Sequence, residues 1–130
     1  MSAHGRILLV DDDREILEMT ELLLAKQGYE VLVASSGEEA LDMAQDSLPH
    51  LILLDINMPG MDGWEVLRLL REDESTRDLP VMMFSVQYEV RDKLHAMQQG
   101  AQDYVTKPFD TERLIAKVRQ VVPAITGGSQ

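Results

Sequence analysis

Residues 51–63 have the sequence Leu-Ile-Leu-Leu-Asp-Ile-Asn-Met-Pro-Gly-Met-Asp-Gly. The aliphatic residues at its start predict a strand that is buried on both faces, as in the core of a parallel sheet. Asp55 follows at the carboxyl end of this strand. Pro59 and Gly60 then predict a turn, in which Gly60 and Gly63 are both free to adopt positive φ. Ligands of open α/β sheets bind at the carboxyl ends of the strands, so Asp55 is the first candidate for chemistry.

The rest of the chain alternates between strand-like and helix-like patterns. Apolar runs predict further strands over residues 7–10, 29–34, 81–85 and 103–106. Helical spacing and capping residues predict helices over 14–27, from a Ser36–Glu39 capping box, from Asp62 to about Arg71, over 90–99, and after Asp110 or Thr111. In the helix over 90–99, we expect Val90, Leu94 and Met97 to face the core.

This alternation predicts the fold class. A chain of strand–helix units requires right-handed crossovers, and these produce a parallel sheet with helices on both faces. We therefore expect a three-layer α/β sandwich. At 130 residues the chain is long enough for one domain, over residues 1–123, followed by a flexible tail or the start of a linker over 124–130.

Composition excludes several kinds of site and partner. The chain has no cysteine, which excludes disulfides, thiolate metal sites and cysteine nucleophiles. Its net charge of -11 opposes binding to nucleic acid or to an anionic membrane, so we expect protein partners. No segment resembles a signal peptide or reaches membrane-spanning length, which predicts a soluble, cytoplasmic protein.

Polar residues follow the apolar runs of four predicted strands: Asp11 and Asp12, Asp55, Ser85, and Lys107. Each has an ordinary structural interpretation, such as a helix cap at Asp12 or Asp13. The carboxyl ends of parallel strands share one edge, however, and three acids gathered there repel one another unless a divalent cation or a lysine neutralises them. Oxygen ligands favour Mg²⁺. A carboxylate beside Mg²⁺, a hydroxyl and an ammonium predicts a phosphoryl acceptor with aspartate as the nucleophile.

Four motifs in this order carry a resemblance to a known family. They are VDDD at residues 10–13, LLDINMPGMDG at 53–63, PVMMFSV at 80–86 and GAQDYVTKPFD at 100–110. The chain resembles the receiver domain of two-component response regulators from about Arg6 to Val122. The resemblance implies a CheY-like, flavodoxin-like fold with a five-stranded parallel sheet of order 2-1-3-4-5.

The resemblance also implies roles for the site residues. Asp55 would accept a phosphoryl group from a phosphohistidine of a histidine kinase or a histidine phosphotransfer protein. Asp12, Asp55 and the backbone carbonyl of Asn57 would ligate Mg²⁺, or Mn²⁺ in its place, and Asp11 would assist through water. Lys107 would pair with the phosphoryl group, and the peptide bond from Lys107 to Pro108 would be cis.

The resemblance also assigns residues to the switch that responds to phosphorylation and to control of the phosphoryl-transfer rate. By resemblance, Ser85 and Tyr104 form the switch that responds to phosphorylation, although Tyr104 also fits an ordinary half-buried strand aromatic. Asn57, Val86 and Gln87 occupy positions that modulate rate. Because the family usually has Ala or Gly where Val86 stands, we expect Val86 to crowd Asp55 and slow phosphoryl transfer.

Three functions remain open from the sequence. The first is a regulated binding module that assists its own phosphorylation and dephosphorylation, is not a turnover enzyme, and signals to a downstream protein or an attached output domain. The second is a degenerate receiver that binds proteins constitutively. The third, a small Mg²⁺-dependent phosphohydrolase of the haloacid dehalogenase type, rests on the D-x-D pattern of Asp11 and Asp13. The sequence leaves the oligomeric state open.

Overall fold

A computed structural model describes residues 5–85, 90–106 and 110–123. The strands are β1 (Arg6–Val10), β2 (Glu30–Ala34), β3 (Leu51–Asp55), β4 (Val81–Ser85) and β5 (Asp103–Thr106). The helices are α1 (Arg14–Lys26), α2 (Gly37–Ser47), α3 (Gly63–Glu72), α4 (Val90–Gln98) and α5 (Thr111–Val121). The predicted elements are thus confirmed, with bounds that differ by a residue or so at several ends. The expected tail over 124–130 lies outside the described residues.

The strands form one parallel sheet in the order β2-β1-β3-β4-β5. The sheet order expected from the resemblance is confirmed. Val10 of β1 is in register with Leu54 of β3, and Asp55 at the end of β3 is in register with Phe84 of β4. This register brings the carboxyl ends of the central strands to a common edge.

Alternating side chains of the strands pack into two separate cores. Ile7, Leu9 and Leu53 face the layer that contains α1 and α5. Leu8 and Leu54 face the other layer, which contains α2, α3 and α4. The fold is therefore the three-layer α/β sandwich that the strand–helix alternation predicts.

The inward face expected for α4 is wrong at Leu94 and Met97. Leu94 is 57% exposed and Met97 is 46% exposed, whereas Ala96 is fully buried. The side chain of Val90 lies outside the described residues. Ala96 packs in the same core cluster as Ala101 and Tyr104. The described part of the helix therefore packs through a small residue, and the side chains of Leu94 and Met97 are largely exposed.

Local side chains cap most of the helices as expected. Asp13, not Asp12, caps α1 by accepting hydrogen bonds from the backbone N–H groups of Glu15 and Ile16. Asp110 caps α5 in the same way. At α2 the Ser36 hydroxyl accepts from the Glu39 backbone, but the Glu39 carboxylate returns to the N–H of Ser35 rather than to that of Ser36.

No helix in the described ranges combines the length and the apolar character that crossing a bilayer requires.

Candidate functional site

Three carboxylates meet at the carboxyl edge of the sheet. Asp11 and Asp12 directly follow β1, and Asp55 is the last residue of β3. One carboxylate oxygen from each residue lies within 4.8 Å of the others. The sequence-based prediction that these three acids converge is therefore correct in its geometry, and we call this group the acid cluster.

The acid cluster is buried on one side and open on the other. Asp11 and Asp55 are only 2% and 3% exposed, whereas Asp12 is exposed. The Asp11 carboxylate accepts a hydrogen bond from the backbone N–H of Asp13 at 2.9 Å. The Asp11 backbone N–H donates to the carbonyl of Ala34 in β2 at 3.2 Å. These bonds hold Asp11 in position, while Asp12 leaves the cluster accessible to solvent.

The donor set of the acid cluster suits a hard divalent cation. All three residues offer carboxylate oxygens, which Mg²⁺ prefers, and Mg²⁺ is commonly held by one or two protein carboxylates together with water. The exposure of Asp12 leaves room for such water. An ion would also offset the mutual repulsion of the carboxylates. Asp11, Asp12 and Asp55 would be the residues that hold it.

The segment after Asp55 turns back onto the sheet. The N–H of Ile56 donates to the carbonyl of Phe84 at 3.1 Å, and the N–H of Gly63 donates to the carbonyl of Ile56 at 2.8 Å. The N–H of Asn57 donates to the Asp55 carboxylate at 3.4 Å. The loop is thus anchored at both ends beside the carboxylate that it follows.

Glycine suits the two positions of this loop for different physical reasons. Gly60 has φ of +76°, as the turn prediction allows. Gly63, which was also free to adopt positive φ, does not do so, because it begins α3. A Cβ at Gly63 would instead lie 2.2 Å from the carbonyl oxygen of Asp55. Gly63 is therefore required for close approach, which the turn motif alone does not reveal.

The remaining predicted site residues are placed less completely. Ser85 ends β4 in register with Thr106 of β5, but its side chain lies outside the described residues. Lys107, Val86 and Gln87 are outside them altogether, as is the expected cis bond after Lys107.

Tyr104 lies deeper than an ordinary strand aromatic. It belongs to β5, in register with Met83 of β4, and its exposed fraction is 4%. The half-buried position considered from the sequence is therefore wrong.

One aromatic contact beside the site has no clear signal in the sequence. The ring centroids of Trp64 on α3 and His95 on α4 are 4.4 Å apart, with an edge-on arrangement. Trp64 is partly buried. The partner could not be identified, because the two rings are far apart in sequence.

The sequence and the fold are similar to those of known signalling proteins. The family described as response regulator receiver domain matches residues 7–119. The DNA-binding dual master transcriptional regulator RpaA of Synechocystis is 40% identical over 117 residues, which cover 90% of this chain and 48% of that protein. The chain thus spans about half the length of this curated relative.

Two solved structures extend the comparison to the fold. The chemotaxis response regulator CheY4 of Vibrio cholerae has a TM-score of 0.86 and 32% identity, covering 92% of this chain and 100% of that one. The receiver domain of sensor histidine kinase PA1611 from Pseudomonas aeruginosa, with a magnesium ion coordinated in its active site cleft, has a TM-score of 0.83 and 28% identity. It covers 92% of this chain and 98% of that one. With this fold, this acid cluster and a family match over most of its length, the chain belongs to the receiver domains of two-component response regulators.

Proposed function

We propose that Asp55 accepts a phosphoryl group from a phosphohistidine, on a histidine kinase or a histidine phosphotransfer protein, with Mg²⁺ held at the acid cluster. The observation that carries this proposal is the convergence of three carboxylate oxygens within 4.8 Å at the end of a central strand. Asp55 is the member of the cluster that ends β3, where the loop leaves its carboxylate at the edge of the sheet.

The transfer forms one bond and breaks one. A carboxylate oxygen of Asp55 forms a bond to phosphorus as the bond from phosphorus to the imidazole nitrogen breaks. That nitrogen keeps the electron pair, and the other ring nitrogen carries a proton taken up from solvent, so that neutral imidazole leaves. In dephosphorylation a water oxygen bonds to phosphorus and the bond to Asp55 breaks, which regenerates the carboxylate and releases inorganic phosphate; the protons of the water pass to the phosphate or to solvent. When bound, Mg²⁺ supplies positive charge that offsets the charge of the phosphoryl oxygens.

The other site residues act around Asp55. Asp11, Asp12 and the backbone carbonyl of Asn57 complete the cation site, in which Mn²⁺ can replace Mg²⁺. Lys107 pairs with a phosphoryl oxygen, and the Ser85 hydroxyl donates a hydrogen bond to another. When Asp55 is phosphorylated, the Tyr104 side chain changes position beside Ser85, and this alters the surface that binds other proteins.

The domain is a signalling module rather than a turnover enzyme. It assists its own phosphorylation and dephosphorylation, and it passes the signal to a downstream protein target or to an attached output domain. The family resemblance and the net charge of -11 favour protein partners in the cytoplasm over nucleic acid or membranes. Residues 1–123 form this receiver unit, and 124–130 form a tail or linker.

Phosphoryl labelling tests the proposal directly. Wild-type protein incubated with Mg²⁺ and acetyl phosphate should gain the mass of one phosphoryl group, and Asp55→Asn should gain none. Asp42→Asn is the matched control, because Asp42 is an exposed aspartate on α2 outside the acid cluster. Labelling of Asp55→Asn to the wild-type extent would refute the role of Asp55.

The same experiment separates the rival functions. A wild-type protein that is never labelled, yet binds its partner, would be a degenerate receiver that acts constitutively. Release of inorganic phosphate from a phosphate monoester over many turnovers would indicate the phosphohydrolase.

A further inference from the structure

We propose that Trp64 is a positioning residue that couples the state of Asp55 to the position of α4, by a route from the Asp55 backbone through Gly63 and Trp64 to His95. This inference rests on the proposed function, because phosphorylation of Asp55 supplies the change that the route transmits. It concerns the α3 side of the site and does not require the Ser85 and Tyr104 pair.

The first step of the route is the contact between Asp55 and the start of α3. The Gly63 Cα lies so near the Asp55 backbone that an added Cβ would be 2.2 Å from the Asp55 carbonyl oxygen and 2.7 Å from the Cα of Ile56. The N–H of Gly63 also donates to the carbonyl of Ile56 at 2.8 Å. The start of α3 therefore cannot stay in place if the backbone at Asp55 shifts toward it.

The second step is the contact between α3 and α4. Trp64 directly follows Gly63, so its backbone moves with that contact. Its ring meets His95 of α4 edge-on, with a distance of 4.4 Å between the ring centroids. The rest of the indole packs against the core cluster shared by α2, α3 and α4. Because a partly buried indole has few alternative rotamers, it transmits a displacement rather than absorbing it.

The third observation is that α4 has few other attachments among its described side chains. Over residues 94–98 only Ala96 is buried, and Leu94 and Met97 are largely exposed. A helix segment with little buried apolar area is displaced at a low cost in free energy. The position of residues 94–98 is therefore sensitive to the contact that His95 makes with Trp64.

A separate contact holds the segment just after α4 and provides a control. The Arg71 guanidinium donates to the carbonyl of Gly100 at 2.7 Å and 3.3 Å, and to the carbonyl of Arg77 at 3.1 Å. Arg71 is seven residues from Trp64, so both lie on the same side of α3, two turns apart. Unlike Trp64, Arg71 is remote in α3 from the residue that touches Asp55.

Amide NMR with Mg²⁺ and beryllofluoride, a phosphoryl mimic, tests the route in the whole chain. In the wild type, amide shifts should change both around residues 55–63 and across α4. In His95→Ala, an exposed change that leaves the core intact, the response around 55–63 should persist while that of α4 falls to less than about half. Trp64→Leu should give the same pattern.

The matched control is Arg71→Lys, which should weaken the contact that holds Gly100, just after α4, and still leave the α4 response near its wild-type size. A full α4 response in both His95→Ala and Trp64→Leu would overturn the proposal. An equal loss in Arg71→Lys would also overturn it, because any loosening of α4 would then suffice. If the wild type responds neither around 55–63 nor in α4, the proposed function itself has failed, which is a different pattern.

Discussion

Gly63 is the residue at which the backbone geometry of the site is most tightly constrained. We expect Gly63→Ala to lower the free energy of unfolding by about 3 kcal/mol, because the new Cβ would overlap the Asp55 carbonyl oxygen, 2.2 Å away. Chemical denaturation measures the loss. Gly60→Ala is the control, since nothing lies within 4 Å of its Cβ and only its φ of +76° is strained, at a cost of about 1 kcal/mol. Equal losses in the two variants would contradict the overlap.

At Val86 we expect the size of the side chain to limit the rate of phosphoryl transfer at Asp55. Val86→Ala should raise the rates at which Asp55 is labelled by acetyl phosphate and loses its phosphoryl group, because the smaller side chain opens access to Asp55. The rates are followed by mass spectrometry, with Asp55→Asn as the background. Unchanged labelling and decay would show that Val86 does not limit access.

Single residues at the site were predictable to different degrees. The grouping of Asp11, Asp12 and Asp55 follows from the chain itself, because adjacent parallel strands bring their carboxyl ends together. The assignment of the α1 cap to Asp13 was left open, since Asp12 is equally suitable by residue type. The reason for Gly63 depends on the distance between two backbone segments, which no local motif specifies.

Among the elements, α2 ends with an unusual residue. Leu48, its C-cap, has φ of 45°, in the left-handed region, and its side chain is 52% exposed. Leu48→Gly should raise the free energy of unfolding by about 0.5–1 kcal/mol, because glycine adopts this conformation without the Cβ clash. Thermal and urea unfolding check the gain. Leu48→Ala keeps the clash and should show no gain; a gain as large as that of Leu48→Gly would point to the loss of exposed apolar surface instead.

The helices also show where periodicity succeeds and where it fails. In α3 and α5 the apolar spacing indicates the buried face, since Leu67 and Leu114 are fully buried. The same reasoning failed at α4, where Leu94 and Met97 face solvent. Apolar periodicity shows that a helix has an apolar face, but not what covers it. Among the described side chains of α4, the one that packs in the core is Ala96, a small residue that apolar periodicity does not single out.

At the scale of the whole molecule, Tyr29 joins the segment before β2 to the end of α5. Its hydroxyl donates to the carbonyl of Val122, and its side chain is 4% exposed. Burial raises the pKa of Tyr29 above its ordinary value of 10.0, with the positive charge of Arg119 opposing this in part. Because its pKa is raised in the folded state, protonated Tyr29 contributes to the stability of the folded protein. This contribution is fully present below pH 10.0 and is lost as the pH rises through the pKa of the folded state.

We therefore expect Tyr29→Phe to be about 1 kcal/mol less stable than the wild type at neutral pH, because the Val122 carbonyl loses its donor. Above about pH 10 the difference should shrink, since only the wild type must keep a buried tyrosine protonated. Urea unfolding from pH 7 to pH 11 measures both effects. A difference that stays constant over this range would mean that ionisation of Tyr29 is not linked to unfolding.

By itself, the sequence determined the strand–helix alternation, the parallel sheet and the position of the acids at its edge, because these depend on side-chain periodicity and on residues near in the chain. Through its resemblance to a known family, it also specified the strand order. Only the tertiary structure decided the close contact of Gly63 with Asp55, the exposed apolar face of α4 and the meeting of Trp64 with His95. Each of these is a distance between segments remote in sequence, set by how whole layers pack.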